Sequence, residues 1–220
     1  MKIIFHGHSC FSLKGKAGTV VCDPFGASLQ IPLKKLTADM VTISHQHDDH
    51  NAVDKVGPTA KRERPFIVDS PGEYEVAGVS VFGFPSFHDA TQGSERGRNT
   101  MFLIQIDEVS VLHLGDLGHP LNESILEQLG RVDVLLCPVG GTYTINAKEA
   151  VAIIKDIAPS IVVPMHYAGD FPEKSLNSTL APLTEFLNAF GTSPQPIEEL
   201  SVTADALPEE TQLVVLSAAA

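Results

Sequence analysis

Short apolar runs broken by glycine and proline fill the first half of the chain, and helical spacing of apolar residues appears only in the second half. Residues 3–5, 10–13 and 19–22 have strand length and stop at Gly7, Gly15 or an Asp23-Pro24 step, where the proline ring removes a ladder donor. Residues 25–39 show little periodicity and predict a loop. Residues 40–44 are continuously apolar at their start, the pattern of a strand buried on both faces. Residues 55–64 are polar and basic and predict a surface segment, followed by a strand over 65–69 and a turn at Ser70-Pro71-Gly72. Two hairpins follow, 73–76 with 79–84 around Ala77-Gly78, and 101–106 with 109–114 around Asp107-Glu108. The intervening residues 90–99 are polar, glycine-rich and read as loop.

Beyond residue 116 the pattern alternates between helix and strand. Asn122 is an N-cap for a helix to residue 129, with Glu123 in the first turn, where the helix dipole favours it. Residues 132–137 read as a buried strand. Asn146 caps a second helix, in which Ala150, Ile153, Ile154 and Ile157 mark one face. Residues 161–163 predict a strand, residues 178–190 a third helix closed by Gly191, and Val202 with residues 213–216 a closing strand pair. Residues 218–220 read as a frayed end. With no internal repeat and no long linker, residues 1–220 form one domain. Hairpins first and helix–strand alternation second are both satisfied by two sheets packed face to face with helices outside, an α/β architecture.

Composition narrows the partners. At 220 residues with 43% hydrophobic content the chain can bury a substantial core. A net charge of −12 argues against a nucleic-acid backbone as partner, which needs a basic face. Cys10, Cys22 and Cys137 are odd in number, lack CxxC spacing and sit in apolar surroundings, so buried free thiols are expected. No run has signal-peptide or membrane-span character, so the expected setting is cytoplasmic, without a membrane partner. Oligomeric state is not legible.

The chemistry is concentrated in His45-Gln46-His47-Asp48-Asp49-His50, directly behind the apolar strand 40–44. In an extended loop, side chains two apart share a side, so His45, His47 and Asp49 can converge. Imidazole and carboxylate suit zinc, manganese or iron(II). One stretch cannot close a metal site; His88, Asp116 and His166 each follow a predicted strand, and strand ends on one sheet edge converge. His113, three residues before Asp116, competes weakly with His88. Asp23 could hold a ligand imidazole, a role that its reading as an Asp-Pro turn matches in weight. Arg96, Arg98 and Asn99 could bind an anionic substrate, although a solvated loop carries more weight. His6 and His119 have no assigned role.

This series, His45-x-His47-x-Asp49-His50, His88, Gly115-Asp116 and His166, resembles the motifs of the metallo-β-lactamase superfamily of metal-dependent hydrolases. Gly7-His8-Ser9, Asp23-Pro24 and Met165-His166-Tyr167 look more narrowly like the ascorbate-6-phosphate lactonase-like branch. The resemblance implies a four-layer αββα sandwich of two mixed sheets. It also implies two divalent metals, zinc first, with His45, His47 and His88 on one, Asp49, His50 and His166 on the other, and Asp116 on both. His8 would act near the metals as proton donor to the leaving group, and Asp49 would orient the nucleophile as well as bind metal. Two metals about 3.5–4 Å apart lower the pKa of a bound water toward about 7, and the hydroxide attacks a carbonyl carbon or phosphorus. The expected substrate is a small ester, lactone or phosphoester. The alternatives are a phosphodiesterase or nuclease on the same scaffold, and a metal-binding module without catalysis.

Overall fold

The strand pattern settles which side of each sheet faces inward. The computed structural model describes residues 1–169 and 179–219. Strands β1 (Lys2–Gly7), β2 (Cys10–Lys14) and β3 (Thr19–Cys22) form an antiparallel meander. Alongside β3 lie β5 (Met40–Thr42) and then β7 (Phe66–Val68), both parallel to it. A short β14 (Leu200–Ser201) pairs with β1 on the other edge, completing six strands. Among the described residues the second sheet has seven. Its antiparallel half is β8 (Gly72–Val76), β9 (Val79–Phe87), β10 (Arg98–Ile106) and β11 (Val109–His113). Its parallel half continues through β12 (Val134–Pro138), β13 (Ile161–Met165) and β15 (Gln212–Leu213).

Alternate residues of the two sheets meet in a shared core. Phe11, Leu13, Val20 and Met40 pack against Phe102, Ile104, Val111 and Leu136, all fully buried. The opposite face of the second sheet, through Leu112, Leu135 and Val162, receives α1 (Glu123–Leu129), α2 (Ala147–Ile157) and α3 (Leu183–Phe190). The outer face of the first sheet, through Val21 and Val41, is covered by Phe25, Leu29, Leu36 and Val56. That outer layer is a 3-10 turn at Ala27–Leu29 and a parallel ribbon of β4 (Leu36–Ala38) and β6 (Val56–Pro58). The α/β sandwich expected from the sequence is therefore present, with the α-helices of the described residues on one side.

Four local expectations need correction. Residues 25–39 and 55–64 are partly core: Phe25, Leu29, Leu36 and Val56 share no period, yet all are buried against the first sheet. Arg98 and Asn99 belong to β10, not to the preceding loop. The third helix begins at Leu183, because Pro182 keeps the preceding chain extended and Ala181 instead bonds through its backbone to Gly140 and Ala168; Ser178 lies outside the described residues. Val202 and residues 213–216 do not form a closing strand pair: β14, just before Val202, joins the first sheet, and β15 joins the second. Both hairpins are as expected. Ala77 and Gly78, and Asp107 and Glu108, have positive φ at both turn centres, which matches the twist of the flanking strands. Among the described residues no helix is long and apolar enough to cross a membrane.

The strand directions matter for the site. β1, β3 and β5 run one way in the first sheet, and β9, β11 and β13 run together in the second. Loops that leave the C-terminal ends of these strands therefore meet along two sheet edges.

The best-defined helix start is that of α2, where Asn146 accepts from the Lys148 and Glu149 amides and Glu149 returns a bond to the Asn146 amide. Asn146→Ala is expected to lower stability by about 1 kcal/mol in urea denaturation; a change of only a few tenths would show that this capping box contributes little.

Candidate metal centre

Six loops bring their polar residues to that edge: His8 after β1, Asp23 after β3, the 45–50 segment after β5, His88 after β9, Asp116 after β11 and His166 after β13. His8, Asp23 and His166 all have positive φ, at 55°, 42° and 53°, a conformation non-glycine residues rarely adopt. Such a backbone persists where the surrounding structure over-determines it. Two glycines let the loops approach. A Cβ on Gly118 would lie 2.4 Å from the His88 carbonyl carbon and the Asp89 nitrogen, and one on Gly140 would lie 2.0 Å from the His166 carbonyl oxygen.

Asp116 is the meeting point. Its Oδ2 lies 3.1 Å from His166 Nε2, 3.2 Å from His88 Nε2 and 4.0 Å from His45 Nε2, while Oδ1 is 3.4 Å from His50 Nε2. Around it the ring nitrogens fall into overlapping groups, His45 with His47 and His88, His8 with His50 and His166, and His45 with His50 and Asp116. Within each group the candidate ligand atoms lie within 4.8 Å of one another. Asp49 Oδ2 borders the second group, 3.2 Å from His8 Nε2 and 3.9 Å from His50 Nε2.

The far side of each ring shows which nitrogen is free. Ser44 Oγ donates to Asp23 Oδ2 at 2.5 Å and so accepts from His45 Nδ1 at 2.9 Å. His50 Nδ1 donates to Asp23 Oδ2 at 2.8 Å, and His88 Nδ1 to the Tyr143 carbonyl at 3.0 Å. These bonds fix the tautomer and leave each Nε2 lone pair facing the cluster, the arrangement of metal-binding histidines with their outer-shell partners. Two buried atoms that face the centre, His45 Nε2 and Asp116 Oδ1, have no hydrogen-bond partner. Buried polar atoms are rarely left so, and a cation between them satisfies both.

The electrostatics agree. Burial, with His50 beside it, pushes the His45 pKa down to about 3, and burial with His166 pushes His8 down to about 4. His50 goes the other way: burial opposes its charge, but Asp116 and Asp23 outweigh that and hold it well above the ordinary value. Burial also opposes the Asp116 carboxylate, yet His166 and His50 hold its pKa well below the usual range. Two buried carboxylates here demand positive charge, and neutral imidazoles stand ready to bind an ion that supplies it. The residues fit a divalent metal.

All seven sequence-proposed metal residues meet here, together with Asp23. Asp23 proves to be more than a turn residue: it is fully buried, accepts from Ser44 N at 2.7 Å and holds both Ser44 and His50. His8 lies deeper in the cluster than expected, grouped with His50 and His166. His113 does not converge with the others; its Nε2 donates to the Ser9 carbonyl and its Nδ1 accepts from Gly115, tying the turn that carries His8 to the loop that carries Asp116. Asn99 is also structural: its amide reaches Ser86 and Leu114, and its oxygen accepts from Asp116 N. Sequence reading missed Tyr143, whose main-chain carbonyl orients His88, because a backbone contact 55 residues away leaves no side-chain signature. Above the centre opens a cavity of about 530 Å³, the size of a small-molecule site.

Comparison with known proteins places this geometry. A family description, Beta-lactamase superfamily domain, matches residues 2–166. A UPF0173 metal-dependent hydrolase of Thermoplasma acidophilum is 31% identical over 190 residues, spanning 76% of this chain and 83% of that protein. One of Methanoculleus marisnigri is 33% identical over 187 residues, spanning 76% and 81%. Among solved structures, a candidate Zn-dependent hydrolase of the metallo-β-lactamase superfamily from Thermotoga maritima is 38% identical, with a TM-score of 0.78 over 98% of this chain and 97% of that one. A metallo hydrolase from Ignicoccus hospitalis, 23% identical with a TM-score of 0.64 over 92% and 99%, shares the fold.

Asp23 supports a pH prediction. Burial raises its pKa, but the His50 bond and charge more than offset this and leave it depressed. A depressed carboxylate contributes stability above its unfolded pKa of about 3.9, and that contribution is lost as pH falls through the folded value. Asp23→Asn is expected to be less stable at pH 7 by about 3 kcal/mol, with the gap to wild type narrowing as pH falls below about 4. Denaturation across pH tests this; a gap that is constant with pH would contradict the charge-based role.

Proposed function

The chain belongs to the metallo-β-lactamase superfamily of metal-dependent hydrolases, and we propose that it uses two divalent metal ions, zinc first, to hydrolyse a small ester, lactone or phosphoester. The observation that carries this reading is the set of His Nε2 atoms directed at Asp116, with Nδ1 of His45, His50 and His88 occupied elsewhere. In the proposed division His45, His47 and His88 hold one ion, His50, His166 and Asp49 the other, and Asp116 touches both. His8, grouped with His50 and His166, lies within reach of the same second position.

Bound at such a centre, divalent metals supply an acidified water and a Lewis acid for the carbonyl or phosphoryl oxygen. The chain's own groups handle protons and position. Asp49 is half-buried and ionised, with burial opposing its charge but His8 and His50 holding its pKa far below the usual range. It orients the attacking water, whose proton it is too weakly basic to keep. His8, neutral at pH 7 and 3.2 Å from Asp49 Oδ2, relays that proton to the leaving oxygen. No serine or cysteine is needed as nucleophile: Ser44 is committed to Asp23 and His45, and the Cys10 and Cys137 thiols are buried with pKa values pushed up by that burial. The narrower likeness of Gly7-His8-Ser9 and Met165-His166-Tyr167 to ascorbate-6-phosphate lactonase-like proteins is the reason to include lactones. Three free cysteines suit a cytoplasmic setting.

Metal analysis joined to a panel of esters, lactones and phosphodiesters tests the reading. Chelation should abolish hydrolysis and added zinc or manganese restore it, and Asp116→Ala should lose at least about 100-fold in kcat/KM. His166→Ala should lose mainly one metal equivalent, with the His45, His47 and His88 position retained. Bound metal with no hydrolysis of any panel member, or full activity in Asp116→Ala, would overturn the mechanism, and equal loss of both metals in His166→Ala would overturn the ligand division.

A further inference from the structure

Asp48, Asp49 and Asp116 line the cavity above the centre, and among its described lining residues Arg96 is the one permanent cation. Its guanidinium lies 5.6 Å from the centroid of the Tyr143 ring, a cation–π distance that restrains a long side chain. Among the described residues it makes no side-chain hydrogen bond; its nearest carboxylate, Glu95, stands at 3.9 Å and is more than half exposed. The donor fork of the arginine is therefore uncommitted, although the group is only 35% exposed.

The loop beneath it is braced. Asp89, buried at 3% exposure and next in sequence to His88, accepts from the Arg96 amide at 2.8 Å, the Glu95 amide at 3.1 Å and the Gly93 amide at 2.8 Å. It also takes the amide and hydroxyl of Thr91, both at 2.9 Å. Tyr143 closes the arrangement, because its carbonyl orients His88 while its ring lies under Arg96. The arginine is thus fixed to the same two elements that fix a proposed metal ligand. A solvated surface arginine needs no such support.

We infer that Arg96 selects substrates that carry a second, anionic group, a carboxylate or a phosphate, beside the bond to be cleaved. This rests on the hydrolase reading and names the substrate class it takes. An oxyanion paired with the free guanidinium fork gains bidentate, charge-assisted bonds that a neutral substrate cannot make. Asp89 and Tyr143 are positioning residues in this account and touch no substrate.

The test compares 4-nitrophenyl acetate with 4-nitrophenyl hemisuccinate as substrates of the metal-loaded protein, and titrates the same protein calorimetrically with succinate and with methyl phosphate. In Arg96→Ala the hemisuccinate-to-acetate ratio of kcat/KM should fall about tenfold, mainly through KM, and the tighter of the two anions should weaken by a similar factor. Arg96→Lys should recover part of both. Preferential weakening of succinate assigns a carboxylate, and of methyl phosphate a phosphate. An unchanged ratio with unchanged affinities in Arg96→Ala overturns the inference, as does wild-type protein that binds neither anion. If wild type hydrolyses neither ester, the calorimetric difference between wild type and Arg96→Ala still decides the role of the arginine, and the hydrolase reading is decided separately by the wider panel of esters, lactones and phosphodiesters.

Discussion

Two buried carboxylates set the terms for everything around them. Asp23 and Asp116 sit at 0% and 2% exposure where the C-terminal edges of the two sheets meet, and neither charge is tolerable there alone. Asp23 is neutralised from within, by His50 and by bonds from Ser44. Asp116 is surrounded by the imidazoles of His45, His50, His88 and His166. His45 resists taking up charge because burial has pushed its pKa down, whereas Asp116 and Asp23 raise that of His50 and favour on it a proton that a bound cation would displace from Nε2. The site is therefore built around a demand for positive charge that side chains meet only in part, and a divalent cation meets it fully.

The sandwich serves that demand by symmetry of direction. The first sheet delivers His8, Asp23 and the 45–50 segment from strands that run one way, and the second delivers His88, Asp116 and His166 likewise. His113 joins the halves, since its ring spans from the Ser9 carbonyl to the Gly115 amide. A buried histidine of this kind needs one nitrogen to donate and the other to accept, so it reports a neutral ring held in one tautomer. Burial lowers its pKa in the same direction.

The sequence exposes the chemistry of the site more fully than its support. His45, His47, Asp49, His50, His88, Asp116 and His166 could be picked out because each follows a strand whose apolar pattern is unmistakable. What escaped was carried by contacts between distant backbone and side-chain atoms. Tyr143 acts through its carbonyl and His113 through a tautomer, and neither leaves a spacing in the chain. The fold shows the same division. Both hairpins and the caps at Asn122 and Asn146 are local and were legible, whereas β14 and β15 are two residues long and choose their sheets by tertiary position. Phe25, Leu29, Leu36 and Val56 lie in stretches with too little periodicity to predict an element, and they are core because the first sheet has an apolar outer face to cover.

The central claim is that these side chains form one continuous centre for two ions rather than a buried polar network that needs none. Anomalous diffraction from crystals of the metal-loaded protein, collected at the edge of the metal supplied, tests it most directly. The account predicts two peaks on either side of Asp116, one bounded by His45, His47 and His88 and the other by His50 and His166. Peaks confined to surface carboxylates, with none beside Asp116, would contradict it.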